Sequence, residues 1–148
     1  MAVGSRSAEA AEAFGARFGV PHRHAGYSSL AADPAVDVVY VATPNAFNGD
    51  YTLLALEAGK AVLCEKPFAV NSQEASEMVA AARNRRLFLM EAMWTRFVPL
   101  MVRLRHMLAE GVLGEVEHLS AVYGFRGAKA RLFEPALGAS RHPPRCDR

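Results

Sequence analysis

The sequence contains little that reacts unaided. Its two cysteines, Cys64 and Cys146, are too few for a disulfide framework or a cysteine-based metal set. No apolar run approaches the ~20 residues of a membrane-crossing helix, and Met1–Arg6 lacks the basic-then-apolar order of a secretory signal. Charge is almost balanced, at +2. The basic residues gather only in the last eight positions, so neither nucleic acid nor an anionic membrane is an expected partner. Internal repeats and low-complexity tracts are absent as well. What these absences leave is a cytoplasmic chain of 148 residues, long enough for one domain with its own core, or one domain and part of another.

What is present is an alternation of apolar runs and helical patterns. Met1–Gly4 reads as the tail of a strand. Ser7 can cap a helix from Ala8 to Phe18, with Gly19 as its stop and Phe14 and Phe18 on one face. Val20–Tyr27 reads as a connector. It carries His22 and His24, whose spacing would suit a metal, but with no cysteine or carboxylate partner nearby the surface-loop reading is preferred. Ser28–Ala32 is one helical turn. Val36–Ala42 is a β-branched run of the kind buried on both faces of a sheet, ending in the turn cluster Thr43-Pro44-Asn45. Phe47–Ala58 is helical and Gly59 closes it.

The stretch around which the rest is organised follows: Ala61-Val-Leu-Cys64, a short strand, ends abruptly in Glu65-Lys66-Pro67. Asn71-Ser-Gln-Glu74 then predicts a capping box and a helix from Ser72 to Arg86, with Ala75, Met78, Val79 and Ala82 on one face. Leu87–Trp94 is a third buried-strand candidate. From Val98 the spacing of Leu100, Met101, Leu104, Met107 and Leu108 is helical, up to Gly111. Val116–Phe125 alternates loosely, as a strand with one exposed face would. Strand, polar turn, helix, strand is the unit of a doubly wound parallel α/β sheet, in which ligands bind at the carboxyl ends of the strands. Glu65 and Lys66 stand at such an end. As a bare pair they read more readily as solvated loop charges than as chemistry.

Three segments together carry a resemblance: Val41-Ala-Thr-Pro-Asn45, the run Ala55-Leu-Glu-Ala-Gly-Lys-Ala-Val-Leu-Cys-Glu-Lys-Pro67, and Glu91-Ala-Met-Trp-Thr-Arg96-Phe97. The chain resembles the glucose–fructose oxidoreductase and inositol dehydrogenase (Gfo/Idh/MocA) family of NAD(P)-dependent oxidoreductases, in unbroken order from about Ala2 to Tyr123. The third segment is most similar to the dihydrodiol (xylose) dehydrogenase branch. The resemblance implies a partial Rossmann-type doubly wound parallel sheet over residues 1–95, lacking its first βα unit. It also implies the start of a second, α+β sheet domain over 96–138, and leaves 139–148 as an irregular tail that reads as out of frame. It implies hydride transfer between NADP, or NAD, and a hydroxyl or carbonyl of a sugar, polyol or diol. Lys66 would be the catalytic residue, reaching the nicotinamide ribose and the oxygen of the reacting carbon. Thr43, Pro44 and Asn45 would pass the ribose and nicotinamide, beside Glu65, while Trp94 and Arg96 would line the nicotinamide pocket. Ser5 and Arg6 would read the adenosine ribose, and an arginine there suits the 2′-phosphate of NADP. Full-length members would be homo-oligomers.

The sequence also departs from the family pattern. The glycine-rich G-x-G-x-x-G turn of the first βα unit is not among these residues. Asn48 stands where the family's Thr-Pro-Asn-x-x-His motif has its histidine. The acid and the proton donor of the second domain belong beyond Phe133–Gly138. Two further readings follow from these departures: a non-catalytic α/β module that binds a nucleotide or a partner, and an inactive gene fragment. His106, in a helical pattern, and His118, in a strand pattern, read as structural or surface residues.

Overall fold

The computed structural model describes residues 1–122 and 124. The chain divides into two compact units, Met1–His106 and Met107–Arg148. In the first, five short strands alternate with helices: β1 (Ala2–Ser5), α1 (Ala8–Phe18), β2 (His22–Ala25), α2 (Tyr27–Ala32), β3 (Val38–Val41), α3 (Asn48–Glu57), β4 (Ala61–Cys64), α4 (Ser72–Arg85) and β5 (Leu89–Glu91). Single 3₁₀ turns occupy Asn45–Phe47 and Trp94–Phe97, and α5 spans Pro99–Ala109. Among the described residues no helix is long and apolar enough to cross a membrane.

Every strand pairing among the described residues is parallel. β3, β4 and β5 lie side by side with Val39 opposite Val62 and Val62 opposite Leu89. β1 and β2 form a separate pair, with Ala2 opposite His22. The α/β fold expected from the alternation is therefore present, and β4 occupies the residues assigned to it. The core gathers on the three-stranded sheet, where Val62, Cys64, Leu56 and Met78 are wholly buried and Val41, Ala55 and Ala82 nearly so. Met78 and Ala82 lie on the predicted face of α4.

The helix ends follow the expected chemistry. Ser7 Oγ accepts the Ala10 N–H at 3.1 Å, and α1 stops at Gly19 with φ +66°. That is left-handed backbone, which glycine adopts without a Cβ penalty. Asn71 Oδ1 accepts the Glu74 N–H at 2.8 Å, while the Glu74 carboxylate accepts the Val70 N–H at 2.7 Å. The predicted capping box thus closes one residue further out than the usual reciprocal pair.

Two expectations are corrected. The supposed connector Val20–Tyr27 contains β2, whose sequence His-Arg-His-Ala has no apolar alternation; its strand conformation comes from pairing with β1. Its histidines also have a carboxylate partner, Asp33, which folds back from the end of α2. In the second unit, residues 116–122 are exposed and carry no strand, because a strand exists only where a neighbour accepts its backbone ladder. Tyr123, Phe125 and everything after it, including Phe133–Gly138, the tail from Ala139 and Cys146, lie outside the described residues.

Candidate functional site

β3, β4 and β5 run in the same direction, so their carboxyl ends share one edge of the sheet. The turns that leave that edge are Thr43–Asn45, Glu65–Pro67 and Trp94–Arg96, three segments far apart in sequence. One side chain fixes the first two together. Asn48, wholly buried at the start of α3, donates from Nδ2 to the Glu65 carbonyl at 3.1 Å and to the Pro67 carbonyl at 2.9 Å. Its Oδ1 accepts the Thr43 hydroxyl at 3.0 Å. Both amide hydrogens and the carbonyl of Asn48 are thereby engaged, and the backbone on each side of Lys66 is held at two points.

Two further bonds complete the clamp. The Phe68 N–H donates to Glu91 Oε1 at 2.9 Å, tying the turn after β4 to the end of β5. The Ala92 N–H donates to the Cys64 carbonyl at 2.7 Å. Glu65 accepts the Tyr40 hydroxyl at 2.6 Å on Oε1 and the Lys66 N–H at 2.7 Å on Oε2. The Tyr40 hydrogen bond, followed by the Lys66 N–H, holds the Glu65 carboxyl below the usual carboxylate range, and the same bond pushes the Tyr40 hydroxyl up. Glu65 is therefore a fixed anion at neutral pH rather than a proton donor. Burial pushes the Cys64 thiol up, which leaves it protonated and unreactive inside the core.

Lys66 is exposed on this clamped turn, and among the described residues its ammonium makes no ion pair. A positive charge on an immobile backbone, at a strand's carboxyl end, can stabilise negative charge that develops on a bound molecule. Trp94 and Arg96 lie on the 3₁₀ turn after β5, both exposed. The Arg96 carbonyl accepts Arg105 Nη1 at 2.6 Å, which attaches α5 to this turn.

Ser5 and Arg6 stand at the carboxyl end of β1. A cavity of about 810 Å³ runs between β1 and β3, lined by Ala2–Ser5 on one side and Val38–Val41 on the other. Among the described residues β1 pairs only with β2 and β3 only with β4, and the cavity is lined by both strands along the edges left unpaired. At its carboxyl end stand Ser5, Thr43, Tyr27 and Tyr51, the two tyrosine rings 4.2 Å apart. Burial and the neighbouring Tyr27 push the Tyr51 hydroxyl up, and the Arg6 charge opposes them. Arg6 thus acts on the same end of the crevice as Thr43. It is exposed and, among the described residues, has no acidic partner.

With this geometry the comparisons with known proteins are unambiguous. The profile of an oxidoreductase family with an NAD-binding Rossmann fold, GFO_IDH_MocA, matches residues 1–93. The chain belongs to that family. Trans-1,2-dihydrobenzene-1,2-diol dehydrogenase of Mus musculus is 46% identical over 125 residues, 84% of this chain and 38% of the relative. The Homo sapiens enzyme of that name is 46% identical over 124 residues. The chain therefore spans less than two fifths of the length of these curated relatives. Among solved structures, an NAD-binding oxidoreductase from Klebsiella pneumoniae superposes with a TM-score of 0.74 at 35% identity, over 77% of this chain and 30% of that one. A levoglucosan dehydrogenase in complex with NADH and levoglucosan gives 0.72 at 30% identity, over 76% and 30%. A 3-ketoreductase from Actinomadura kijaniata, bound to TDP-benzene and NADP, gives 0.68 at 38% identity, over 78% and 36%.

The sequence pointed to Lys66 and its neighbours, but it did not assign Asn48 the work of a bracket. The signal available was an amide side chain at the start of a helix that follows a buried strand. Tyr40 and Glu91 were not singled out, because a tyrosine inside a β-branched run and an acid closing an apolar one read as ordinary strand residues.

Proposed function

We propose that this chain forms the cofactor-positioning part of an NAD(P)-dependent oxidoreductase acting on a hydroxyl or carbonyl of a sugar, polyol or diol. The observation that carries this reading is the Asn48 bracket. It joins the Thr43 turn to the backbone on both sides of Lys66 and so holds the backbone that presents an exposed ammonium at the carboxyl edge of a parallel sheet. The relatives named above support the substrate class, since they are a diol dehydrogenase, a levoglucosan dehydrogenase and a ketoreductase.

The residues present fit part of a dinucleotide. Ser5 and Thr43 stand at the carboxyl ends of β1 and β3, the place where doubly wound sheets hold such ligands. Arg6, without an acidic partner among the described residues, can pair with a 2′-phosphate, which favours NADP, with NAD as the alternative. Thr43, Pro44 and Asn45 would flank the ribose and nicotinamide, with Trp94 and Arg96 as a wall. Asn48 serves that turn from below, through backbone it holds in place. No G-x-G-x-x-G turn occurs in these 148 residues, so they do not themselves supply the backbone cradle for a pyrophosphate.

When bound, the nicotinamide would accept or donate the hydride. Lys66 would place its charge beside the substrate oxygen, favouring the alkoxide-like charge that builds up as the C–H bond breaks. Glu65, held ionised by Tyr40, would orient the Lys66 backbone through its N–H. We assign residues 1–95 to cofactor binding and 96–138 to the start of a substrate-binding domain, in a cytoplasmic, homo-oligomeric enzyme.

The test is hydride transfer by the protein that carries this chain, followed as reduced-cofactor absorbance with NADP and a panel of sugars, polyols and diols. Lys66→Ala should lower kcat by about 10²–10³ and leave cofactor affinity within a few-fold. Residues 1–148 alone should show no turnover. An unchanged kcat in the Lys66→Ala protein would remove the assigned role. Cofactor binding with no turnover on any panel member would favour the second reading, a non-catalytic nucleotide-binding module.

A further inference from the structure

We propose that His22, His24 and Asp33 form a binding site for a divalent transition-metal cation, with zinc as the natural probe. His22 and His24 are two apart on β2, and in a strand that spacing directs both side chains to the same face. α2 then carries the chain back, so that Asp33, at its C-terminal end, meets the start of β2. His22 Nδ1 lies 2.8 Å and His24 Nε2 3.0 Å from the same oxygen, Asp33 Oδ2. The three donor atoms all fall within 4.8 Å of one another.

The chemistry suits a borderline cation. Two imidazoles and a carboxylate are the donors that zinc and its neighbours in the first transition row take, at about 2.0–2.2 Å from the metal. Donors at those bond lengths lie about 3 Å apart in a coordination shell, the separation already present here between each ring and Oδ2. The carboxylate is preorganised: Oδ1 accepts the Ala35 N–H at 2.8 Å, which turns Oδ2 toward the rings. The Asp33 side chain is 7% exposed, His24 20% and His22 46%. The anion is thus shielded while one side stays open for the ion and for coordinating water.

Binding would replace the two ring-to-carboxylate hydrogen bonds with bonds to the ion. The hydrogen on each ligating nitrogen would move to the ring's other nitrogen or to solvent. The Lys60 ammonium, bonded to the Asp33 carbonyl oxygen at 3.0 Å, is the one cation placed against this cluster among the described hydrogen bonds, and it lowers the affinity without occupying a donor. Lys60 immediately precedes β4. The cluster therefore lies at the amino end of that strand, away from the Lys66 turn, and its role would be to clip β2 to the junction between α2 and β3.

The full chain, stripped with a chelator, is titrated with zinc by calorimetry and with cobalt(II) by visible absorbance. We expect one ion per chain and a cobalt ligand-field spectrum. Zinc at 100-fold over its dissociation constant should raise the melting temperature by several degrees. His22→Ala should weaken binding at least about tenfold. His24→Gln can keep a hydrogen bond to Asp33 but supplies no imidazole nitrogen, so it should keep the unliganded melting temperature and lose the zinc effect. Cys146→Ser should change neither. Absence of zinc heat and of a cobalt spectrum up to millimolar ion would overturn the proposal. So would unchanged affinity in His24→Gln, which would reduce the cluster to a hydrogen-bonded clasp.

Discussion

In β4, Val62 and Cys64 are wholly buried, whereas three of the four residues of β2 are exposed. Both strands are parallel-paired in βαβ units, yet they are held by different forces. β4 has a neighbour on each edge, and α3 and α4 supply Leu56, Met78 and Ala82 to the core around it. β2 has one neighbour, β1, and is fastened otherwise by polar contacts. Arg23 donates to the Val20 carbonyl and pairs with Glu12, and two histidines meet Asp33. The candidate site was built on the well-packed half, where the backbone of a turn can be fixed to within a hydrogen bond.

The contrast predicts where the chain is fragile. Leu56→Ala removes a fully buried side chain from the packed half and should cost about 2–5 kcal/mol, measured by urea or thermal unfolding. A loss below 1 kcal/mol would mean that the apolar core is not what holds β3–β5 together. Asn48→Ala leaves the Glu65 and Pro67 carbonyls without their donor and should cost about 1–3 kcal/mol. It should also speed amide exchange at Glu65–Phe68, while exchange in β1 and β2 stays as before. Uniform acceleration across both halves would show that the bracket is not local.

The polar half should instead respond to pH. The His22 ring, followed by the Ala35 N–H, holds the Asp33 carboxyl far below the usual carboxylate range, so the unfolded chain takes up the proton more readily than the folded one. The stability that Asp33 contributes is therefore present above its unfolded value, about 3.9, and is lost as pH falls through the lower folded value. Asp33→Asn should reduce the melting temperature at neutral pH and flatten its decline in acid. A parallel acid limb in mutant and wild type would contradict this. The smallest effect expected is at the α1 cap, where Ser7→Ala should cost about 1 kcal/mol and leave the Asn48 turn untouched.

Much of this was legible beforehand for a definite reason. Val36–Ala42 and Ala61–Cys64 are continuous apolar runs, although β3 buries only one face and leaves Val38 and Tyr40 more than half exposed; α4 announces itself through Asn71 and Glu74, and Gly19 marks the end of α1. Each is a local signal with a local cause, and the ends of the parallel strands follow from their order. The family resemblance then proposed Lys66 and Thr43 by motif, and Arg6 by its position in the family's order of elements. β2 was hidden because its strand character resides in its partner, and its histidines looked unsupported because Asp33 is nine residues away from His24. The loose alternation of Val116–Phe125 gave no strand over 116–122, because among the described residues no neighbouring strand stands beside it to share a ladder.

The sequence by itself determined the succession of strands and helices, their caps, and which turn carries the exposed lysine, because propensity and apolar period act within a few residues. Only the tertiary structure decided that Asn48 locks the Lys66 turn, that Tyr40 keeps Glu65 ionised, and that His22, His24 and Asp33 converge. Those are contacts between groups 9 to 25 residues apart, the Asn48 amide reaching backbone carbonyls, and no local pattern records which polar groups the folded backbone will bring to about 3 Å.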